Sequence, residues 1–228
     1  MNIAVIPARG GSKRIPRKNI KHFNGKPMIA WSIQAAKDSN LFDHILVSTD
    51  DREIADIAQA FGAQVPFLRP PSLADDVTPT VPVIAHAVSA CAEMGWAAEY
   101  VCCLYPCAPF MQAEDLLAGL ELLKKTNAEY VYPVTEYAHP VHRAMLRSAE
   151  GRMTFLHPEC ELTRTQDLPV AYHDTGQFYW GKSTAWSSMK RMHSEGVGLV
   201  VPYWRMVDID TPEDWARAEL IARTLKAG

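Results

Sequence analysis

The first half of the chain alternates short apolar runs with longer segments of helical spacing. The short runs predict strands at Ile3–Ile6, His44–Thr49, Val65–Leu68, Tyr100–Leu104 and Tyr130–Val134. Continuous apolar runs of this length are typical of strands that are buried on both faces. We therefore expect these strands in the interior of a sheet.

Between these runs, apolar residues recur with the period of a helix. Helices are predicted from Pro27, from a cap at Asp50 or Asp51 to Gly62, over Val81–Met94 and over Ala113–Lys125. Strands that alternate with helices of about 10–15 residues indicate βαβ units. The predicted fold class is α/β, with a mostly parallel, Rossmann-like sheet flanked by helices.

The pattern breaks between residues 136 and 172, which are polar and show no sustained period. Two roles remain open for this insertion: an arm that meets a second subunit, or a lid over a site. Strands are predicted again at Gln177–Trp180, Gly198–Val201 and Val207–Asp210. Thr211-Pro-Glu-Asp then predicts the start of a closing helix. We expect one domain over residues 1–228 that carries the insertion 136–172.

Composition narrows the class of protein. The 228 residues are 48% hydrophobic and 21% charged with a net charge of -3, which is ordinary for a globular protein. The apolar runs are too short for a signal peptide or a membrane span, so we expect a cytoplasmic protein without a membrane partner. The five cysteines have neither disulfide-framework nor zinc-site spacing, and we expect reduced, mostly buried thiols.

Positive charge is concentrated directly after the first predicted strand, where no Asp or Glu precedes Asp38. The basic residues are Arg9, Lys13, Arg14, Arg17 and Lys18. Ligands of open α/β sheets bind at the carboxyl ends of the strands, and Gly10 and Gly11 would let backbone N–H groups approach an anion. The arrangement predicts a triphosphate site.

Other interpretations of this loop are weaker. It matches neither the P-loop nor the dinucleotide-binding glycine pattern. A solvated basic loop remains an alternative. Nucleic-acid binding is disfavoured because no further basic stripe with interleaved aromatic residues accompanies the loop.

Two carboxylates near the end of the chain, Asp208 and Asp210, form a second candidate site. Residues i and i+2 of a strand share a face, so the two side chains would project together. Hard oxygen ligands of this kind suit Mg²⁺, which commonly binds one or two carboxylates plus substrate phosphates. The alternative is a strand end at which one carboxylate caps the following helix.

Five segments resemble, in the same order, those of the sialic-acid-type cytidylyltransferases, which couple CTP to nonulosonic (nine-carbon 2-keto) acids. They are IPARGGSKRIPRKN, VSTDD, LRPPSLADD, RTQDLP and VDIDTPED. The resemblance extends over nearly the whole chain. It implies a nucleotidyltransferase fold of the glycosyltransferase A type, CTP as a substrate, Mg²⁺ as the cofactor and a homodimer built partly by residues 136–172.

The resemblance also assigns residues. It implies that the nucleotide is bound by Ala8, Arg9, Gly11, Ser12, Lys13, Lys18, Asn19, Arg69 and Thr80. Arg9 and Lys18 would be the catalytic cations on the triphosphate. Asp208 and Asp210 would hold the metal and share in catalysis.

At some positions the chain differs from the sialic acid synthetases, and these differences indicate which sugar acid accepts CMP. Sialic acid synthetases typically carry Gln where this chain has Tyr105, and Arg-Pro-Asn-Gly where it has His173-Asp-Thr-Gly. LYPCAPF and YHDTGQFYWG look like the pseudaminic acid branch, whose product is used on bacterial surface glycans. The candidate sugar-acid-binding residues are Tyr105, Arg164, His173, Asp174 and Gln177. For Tyr105 and His173, packing near a sheet edge is the alternative.

The resulting hypothesis is that the protein transfers CMP from CTP to the anomeric hydroxyl of a nonulosonic acid and releases pyrophosphate. Pseudaminic acid is the favoured acceptor. N-acetylneuraminic, legionaminic and 3-deoxy-octulosonic acids are alternative acceptors. A CTP-binding regulator without turnover is an alternative from another class. His173, Asp174 and Asp50 are candidates for a general base, but the sequence does not choose among them.

Overall fold

The computed structural model describes residues 1–226, over which strands and helices alternate along most of the chain. The strands are β1 (Asn2–Pro7), β2 (His22–Phe23), β3 (Lys26–Pro27), β4 (His44–Ser48), β5 (Tyr100–Leu104), β6 (Tyr130–Glu136), β7 (Met145–Arg147), β8 (Met153–Phe155), β9 (Tyr172–Asp174), β10 (Phe178–Lys182) and β11 (Gly196–Val200). The helices are α1 (Ile29–Ser39), α2 (Arg52–Ala60), α3 (Thr80–Glu93), α4 (Ala113–Thr126), α5 (Ser183–Ser187) and α6 (Pro212–Lys226). Within residues 1–226, no helix has the length and apolar character that crossing a membrane requires.

The central sheet has the strand order β11-β6-β10-β5-β1-β4. Strands β4, β1, β5, β6 and β11 run in one direction, and β10 runs against them between β5 and β6. The predicted mostly parallel α/β sheet is therefore confirmed. Strands β9 and β10 pair with successive parts of β6, and residues 175–177 leave the ladder between them.

Alternate residues of the central strands pack on opposite faces of the sheet. On one face, Ile6 and Cys102 pack with α1 and α4, and on the other, Val5 and Cys103 pack with α3 and α5. All of these side chains are fully buried, as expected for strands covered on both sides. All five thiols are free, and three of them are buried.

Two predicted elements differ in the structure. The predicted helix at Pro27 begins only at Ile29, because Pro27 pairs with His22 in a short hairpin. The predicted strand Val65–Leu68 is irregular, and the sheet receives only a single bridge from Gln64 beside it.

The segment Val207–Asp210, predicted as a strand, joins no ladder. It keeps the alternation of a strand, because Val207 and Ile209 are buried while Asp208 and Asp210 face outward. The two buried residues pack in a third apolar cluster with Ile15 of the loop after β1. This cluster brings the two candidate segments of the sequence together.

Arg17 fixes the far end of the loop after β1. Its backbone is left-handed, with φ of 55°. Its guanidinium donates to both oxygens of Asp51, at 2.5 and 3.0 Å, and to Glu53 at 2.5 Å. Asp51 is the N-cap of α2 and accepts from the Ile54 N–H at 3.0 Å. The hydrogen bond from Arg17 is the main reason that the pKa of Asp51 falls to about 2.

We expect Arg17→Leu to lower the free energy of unfolding by about 1 kcal/mol at pH 7, a value discounted because the pair is partly exposed to solvent. The folded-state pKa of Asp51 lies below its ordinary value, so the pair stabilises the fold above about pH 4 and loses this effect as pH falls to about 2. Urea unfolding across that range measures the difference. The control Arg14→Leu removes a more exposed ion pair and should cost less than about 0.5 kcal/mol. Equal losses in both variants would contradict the assignment.

Candidate active site

A cavity of about 460 Å³ opens at the carboxyl ends of β1 and β5. The loop after β1, the start of α3 and the segment before α6 form its walls. Ligands of open α/β sheets bind at this edge. The residues singled out from the sequence that line the cavity are Arg9, Ser12, Lys13, Lys18, Asn19, Arg69, Thr80, Tyr105, Asp208 and Asp210.

The glycines of the loop have different surroundings. The Gly10 N–H donates to Asp50 at 3.0 Å, and a Cβ at Gly10 would lie 2.6 Å from an Asp51 oxygen. Glycine is therefore required for this close approach. Gly11 is exposed with open space around it, and Ala8 is fully buried under the loop. Neither Ala8 nor Gly11 lines the cavity.

An acidic residue of another segment neutralises the first half of the basic loop. Arg9 donates to the Asp76 carboxylate at 2.5 Å and to the Asp75 carbonyl at 2.8 Å. Lys13 forms an ion pair with the second oxygen of Asp76. The hydrogen bonds from Lys13 and Arg9 lower the pKa of Asp76. One carboxylate thus bridges two of the predicted triphosphate-binding cations.

The second half of the loop is paired in the same way. The Lys18 ammonium donates to the Ile209 carbonyl at 2.6 Å and to the Asp210 carboxylate at 3.2 Å. Arg14 approaches the other Asp210 oxygen at 2.7 Å. The basic loop and the predicted metal-binding segment therefore share one wall of the cavity.

Two buried polar side chains support the loop and the cavity floor. Asn19 donates to the Arg9 carbonyl at 3.0 Å, and its own side-chain oxygen accepts from the Cys107 thiol at 3.3 Å. Arg69 is 5% exposed and donates to the Ser48 hydroxyl and carbonyl at the end of β4. Burial lowers the pKa of Arg69. Both residues are thus held in place before any ligand arrives.

Tyr105 and Thr80 form a hydroxyl pair on the opposite wall. The two hydroxyl oxygens are 2.7 Å apart. The Ser32 hydroxyl donates to the Tyr105 carbonyl at 2.7 Å and fixes the backbone there. Burial raises the pKa of Tyr105 to about 12, so its hydroxyl is neutral at physiological pH.

Asp208 and Asp210 are the carboxylates of the cavity that could hold a metal ion. The Asp208 carboxylate lines the cavity and accepts no hydrogen bond from the described residues. Its pKa is raised, first by burial and then by the negative charge of Asp210. A divalent cation would relieve this repulsion. No group of three or more His, Cys, Asp or Glu side chains within residues 1–226 is placed to hold a metal, so a bound Mg²⁺ would need phosphate or water oxygens as further ligands.

Of the five residues predicted to bind the sugar acid, Tyr105 lines the cavity and the other four do not. Arg164 lies in the insertion with its side chain 72% exposed and pairs with Asp167 at 2.7 Å. Gln177 is buried, and its amide donates to the Arg205 carbonyl at 2.9 Å.

His173 and Asp174 lie in β9, beside the cavity wall but not in it. The His173 ring contacts Tyr137, and its Nδ1 is 3.0 Å from the Asp174 carbonyl. The Asp174 carboxylate points to Tyr179 and His193, both at 2.7 Å. The roles of Arg164, His173, Asp174 and Gln177 in binding stay predictions.

For three residues of the site, the sequence indicates no individual role. Asp76 belongs to the LRPPSLADD segment of the family resemblance, which gives no sign of a contact with the basic loop. Arg14 belongs to the basic stretch, and only its contact with Asp210 distinguishes it from its neighbours. Cys107 lines the cavity beside Lys18, and burial raises its pKa to about 12. A lone cysteine gave no usable signal.

Comparisons with known proteins agree on one family. The sequence model for "Cytidylyltransferase" matches residues 3–206. The pseudaminic acid cytidylyltransferase of Campylobacter jejuni is 37% identical, over 96% of this chain and 95% of that protein. The CMP-N,N'-diacetyllegionaminic acid synthase of Legionella pneumophila is 33% identical, over 95% of this chain and 94% of its own length.

The fold is also found among solved structures. A CMP:2-keto-3-deoxy-manno-octonic acid synthetase complexed with CTP superposes with a TM-score of 0.69. The alignment covers 98% of this chain and 99% of that one, at 17% identity. At this level of identity the likeness shows the fold, which agrees with the predicted nucleotidyltransferase fold.

We expect Asp208→Asn to stabilise the metal-free protein by about 0.5 kcal/mol at pH 7, because it removes an ionised carboxylate that nothing pairs with. The folded-state pKa of Asp208 is raised, so its ionisation costs stability as pH rises, and the difference should disappear in acid, where the carboxyl is protonated in both states. Thermal unfolding without Mg²⁺ measures it.

The matched control is Asp214→Ala. Asp214 accepts from the Thr211 N–H at 2.8 Å in a capping box at the start of α6, so this variant should lose about 1 kcal/mol. A loss in Asp208→Asn as large as that in the control would contradict the interpretation of Asp208 as unpaired.

Proposed function

This chain belongs to the cytidylyltransferase family, and we propose that it transfers CMP from CTP to the anomeric hydroxyl of a nine-carbon 2-keto sugar acid, pseudaminic acid. The observation that carries the proposal is the arrangement of one cavity. Arg9, Lys13 and Lys18 lie on one wall, and the carboxylates of Asp208 and Asp210 lie beside Lys18. This is the chemistry that a triphosphate with a divalent cation requires.

The basic loop would bind the phosphates by exchange of partners. Arg9 and Lys13 now contact Asp76, and Lys18 contacts Asp210. An incoming triphosphate carries more negative charge than either carboxylate and offers more acceptor oxygens. We therefore assign Asp76 the place of a phosphate group in the nucleotide-free protein.

Asp208 and Asp210 would hold Mg²⁺, which would supply positive charge to offset the charge that develops on the phosphates. Lys18 would keep the orientation of Asp210, since it already donates to this carboxylate and to the preceding carbonyl. Arg14, on the other Asp210 oxygen, leaves fewer acceptor positions for a metal. We expect Arg14 to turn toward the phosphates when the metal binds.

In the reaction, the anomeric hydroxyl oxygen forms a bond to the α-phosphorus while the bond to the bridging oxygen of the β-phosphate breaks. Pyrophosphate leaves with the electron pair of that bond, and the hydroxyl proton must go to an acceptor. Arg9 and Lys18 would stabilise the charge on the phosphates as the bond breaks.

The cytoplasm, where CTP is made, is the compartment in which we expect this protein.

Pyrophosphate release from CTP and Mg²⁺, with pseudaminic, N-acetylneuraminic and legionaminic acids assayed side by side, tests the proposal. We expect the highest kcat/KM with pseudaminic acid, because Tyr105 replaces the Gln typical of sialic acid synthetases on the cavity wall. A preference for another nonulosonic acid would support the transfer of CMP but contradict pseudaminic acid as the acceptor. CTP binding without release on any acid would favour a regulator.

We expect Arg9→Ala to lower kcat by about 10²–10³, as the loss of one preorganised donor to a developing oxyanion does. Steady-state kinetics at saturating CTP measures it. Arg52→Ala, an exposed arginine on α2 outside the cavity, is the matched control and should retain full turnover. Full turnover in Arg9→Ala would show that Arg9 does not act on the phosphates.

We propose that residues 136–172 form a dimerisation arm. Strands β7 and β8 pair only with each other among the described residues, and an isolated two-stranded hairpin is marginally stable in water. Apolar side chains along the arm are exposed: Tyr137, Met145, Leu146, Met153, Leu156, Leu162, Val170 and Tyr172. An arm that crosses to a second copy would also carry Arg164 toward that copy's cavity, which would explain its position outside its own.

Size-exclusion chromatography with light scattering should give twice the chain mass at micromolar concentration. Leu162, at 95% exposure, is the best single position for a test, and Leu162→Asp should weaken the dimer by placing a charge in the buried contact. A wild-type protein that is monomeric at micromolar concentration would contradict the arm.

A further inference from the structure

The segment that carries Asp208 and Asp210 joins no ladder, so its position depends on side-chain packing and on contacts at its two ends. Lys18 holds the later half, because it donates to the Ile209 carbonyl at 2.6 Å and to the Asp210 carboxylate at 3.2 Å. The Asp208 carboxylate has no such contact within residues 1–226. The earlier half is instead anchored through Arg205, three residues before Asp208 in sequence.

Arg205 is fixed by a largely buried ion pair with Asp115, in the first turn of α4. The guanidinium donates to both carboxylate oxygens, at 2.6 and 3.2 Å. Two parallel hydrogen bonds of this kind fix the orientation of the side chain as well as its distance. The helix is itself held on the sheet, because the Trp180 indole donates to the Leu116 carbonyl at 2.9 Å. Arg205 thus connects the segment of Asp208 to a rigid element.

Gln177 contacts the same anchor from the other side. Its amide donates to the Arg205 carbonyl at 2.9 Å, and its backbone carbonyl accepts from the Tyr105 N–H at 2.8 Å. Gln177 is 4% exposed, so this amide is shielded from competing water. The preceding residue, Gly176, lines the cavity. One buried residue therefore links the wall that carries Tyr105 to the start of the carboxylate segment.

We propose that Gln177 and Arg205 are positioning residues that hold the Asp208 carboxylate in place for a divalent cation. This inference rests on the proposed function, in which Asp208 and Asp210 hold Mg²⁺. Neither Gln177 nor Arg205 lines the cavity, so both act through the backbone that leads to Asp208. A carboxylate whose backbone is fixed in advance loses less conformational freedom when it binds a cation, and this raises its affinity.

The test is the factor by which Mg²⁺ tightens CTP binding, measured by calorimetry without a sugar acid, once with Mg²⁺ in excess and once with EDTA. Gln177→Met removes the amide donor but keeps the side-chain volume and the backbone bond to Tyr105. Loss of a group that orients a metal ligand typically costs about 10–100-fold in metal affinity, so we expect the factor to fall by about tenfold. CTP binding in EDTA should be unchanged.

The kinetics of pyrophosphate release provide a second readout. Gln177→Met should need about tenfold more Mg²⁺ for half-maximal turnover, with kcat restored at saturating Mg²⁺. The KM for the sugar acid should not change. A residue that only stabilised the fold would not alter the Mg²⁺ dependence alone.

Asn2→Leu is the matched control. The Asn2 amide also donates to a backbone carbonyl, that of Leu41 at 3.0 Å, but it lies at the end of β1 away from the cavity. This variant should keep the wild-type factor even where thermal unfolding shows an equal loss of stability. Arg205→Lys keeps a positive charge against Asp115 without the paired hydrogen bonds, and it replaces Gln177→Met as the test if that variant does not fold.

An unchanged factor in the folded variant would overturn the proposal. A raised KM for the sugar acid with wild-type Mg²⁺ dependence would also overturn it, because Gln177 would then contact the substrate itself. A wild-type protein that binds CTP equally well in Mg²⁺ and in EDTA would instead be a failure of the proposed function.

Discussion

The site depends on the pairing of one basic loop with carboxylates from three other segments. Arg17 is paired with Asp51 and Glu53, Arg9 and Lys13 with Asp76, and Arg14 and Lys18 with Asp210. Five cations within ten residues repel one another, and these contacts allow four of them, all but Arg17, to line one cavity. The pairs differ in position, because Arg17 lies outside the cavity and the other four cations line it. The contact of Arg17 is structural, whereas the others lie where a ligand can replace them.

Packing brings distant parts of the chain into this arrangement. The apolar cluster of Ile15, Val207 and Ile209 holds the basic loop against the segment before α6, so Asp210 meets Lys18 although it lies 192 residues away in sequence. On the opposite wall, Tyr105 follows β5 directly, packs against Tyr179 of β10 and pairs with the Thr80 hydroxyl. Charge thus dominates one wall of the cavity and neutral hydroxyls the other.

The sequence predicted the elements with strong periodicity and missed those determined by tertiary contacts. The five parallel strands were predicted. The predicted helix at Pro27 begins later, because Pro27 pairs in β3. The segment Val207–Asp210 has the burial pattern of a strand but pairs with no other strand. Those alternating residues still face the cavity, because burial of Val207 and Ile209 fixes their orientation as a ladder would.

Local patterns also identified both halves of the candidate site, since basic loops and carboxylate pairs are recognisable within a few residues. The side chains with which these residues form ion pairs and hydrogen bonds could not be identified from such local patterns. Nothing near Asp76 in sequence shows that it reaches Arg9, and nothing near His193 shows that it reaches Asp174. These contacts join segments across the sheet, and only the fold determines which side chains converge.

The most direct measurement is the dissociation constant of CTP with Mg²⁺ for wild type and Asp76→Asn, by calorimetry at low salt. If Asp76 occupies the place of a phosphate, its removal frees Arg9 and Lys13 and relieves repulsion of the triphosphate, so binding should tighten about fivefold. Asp56→Asn, an exposed carboxylate on α2, should have no effect. Unchanged or weaker binding in Asp76→Asn would contradict the account, because Asp76 would then position the loop rather than occupy the place of its ligand.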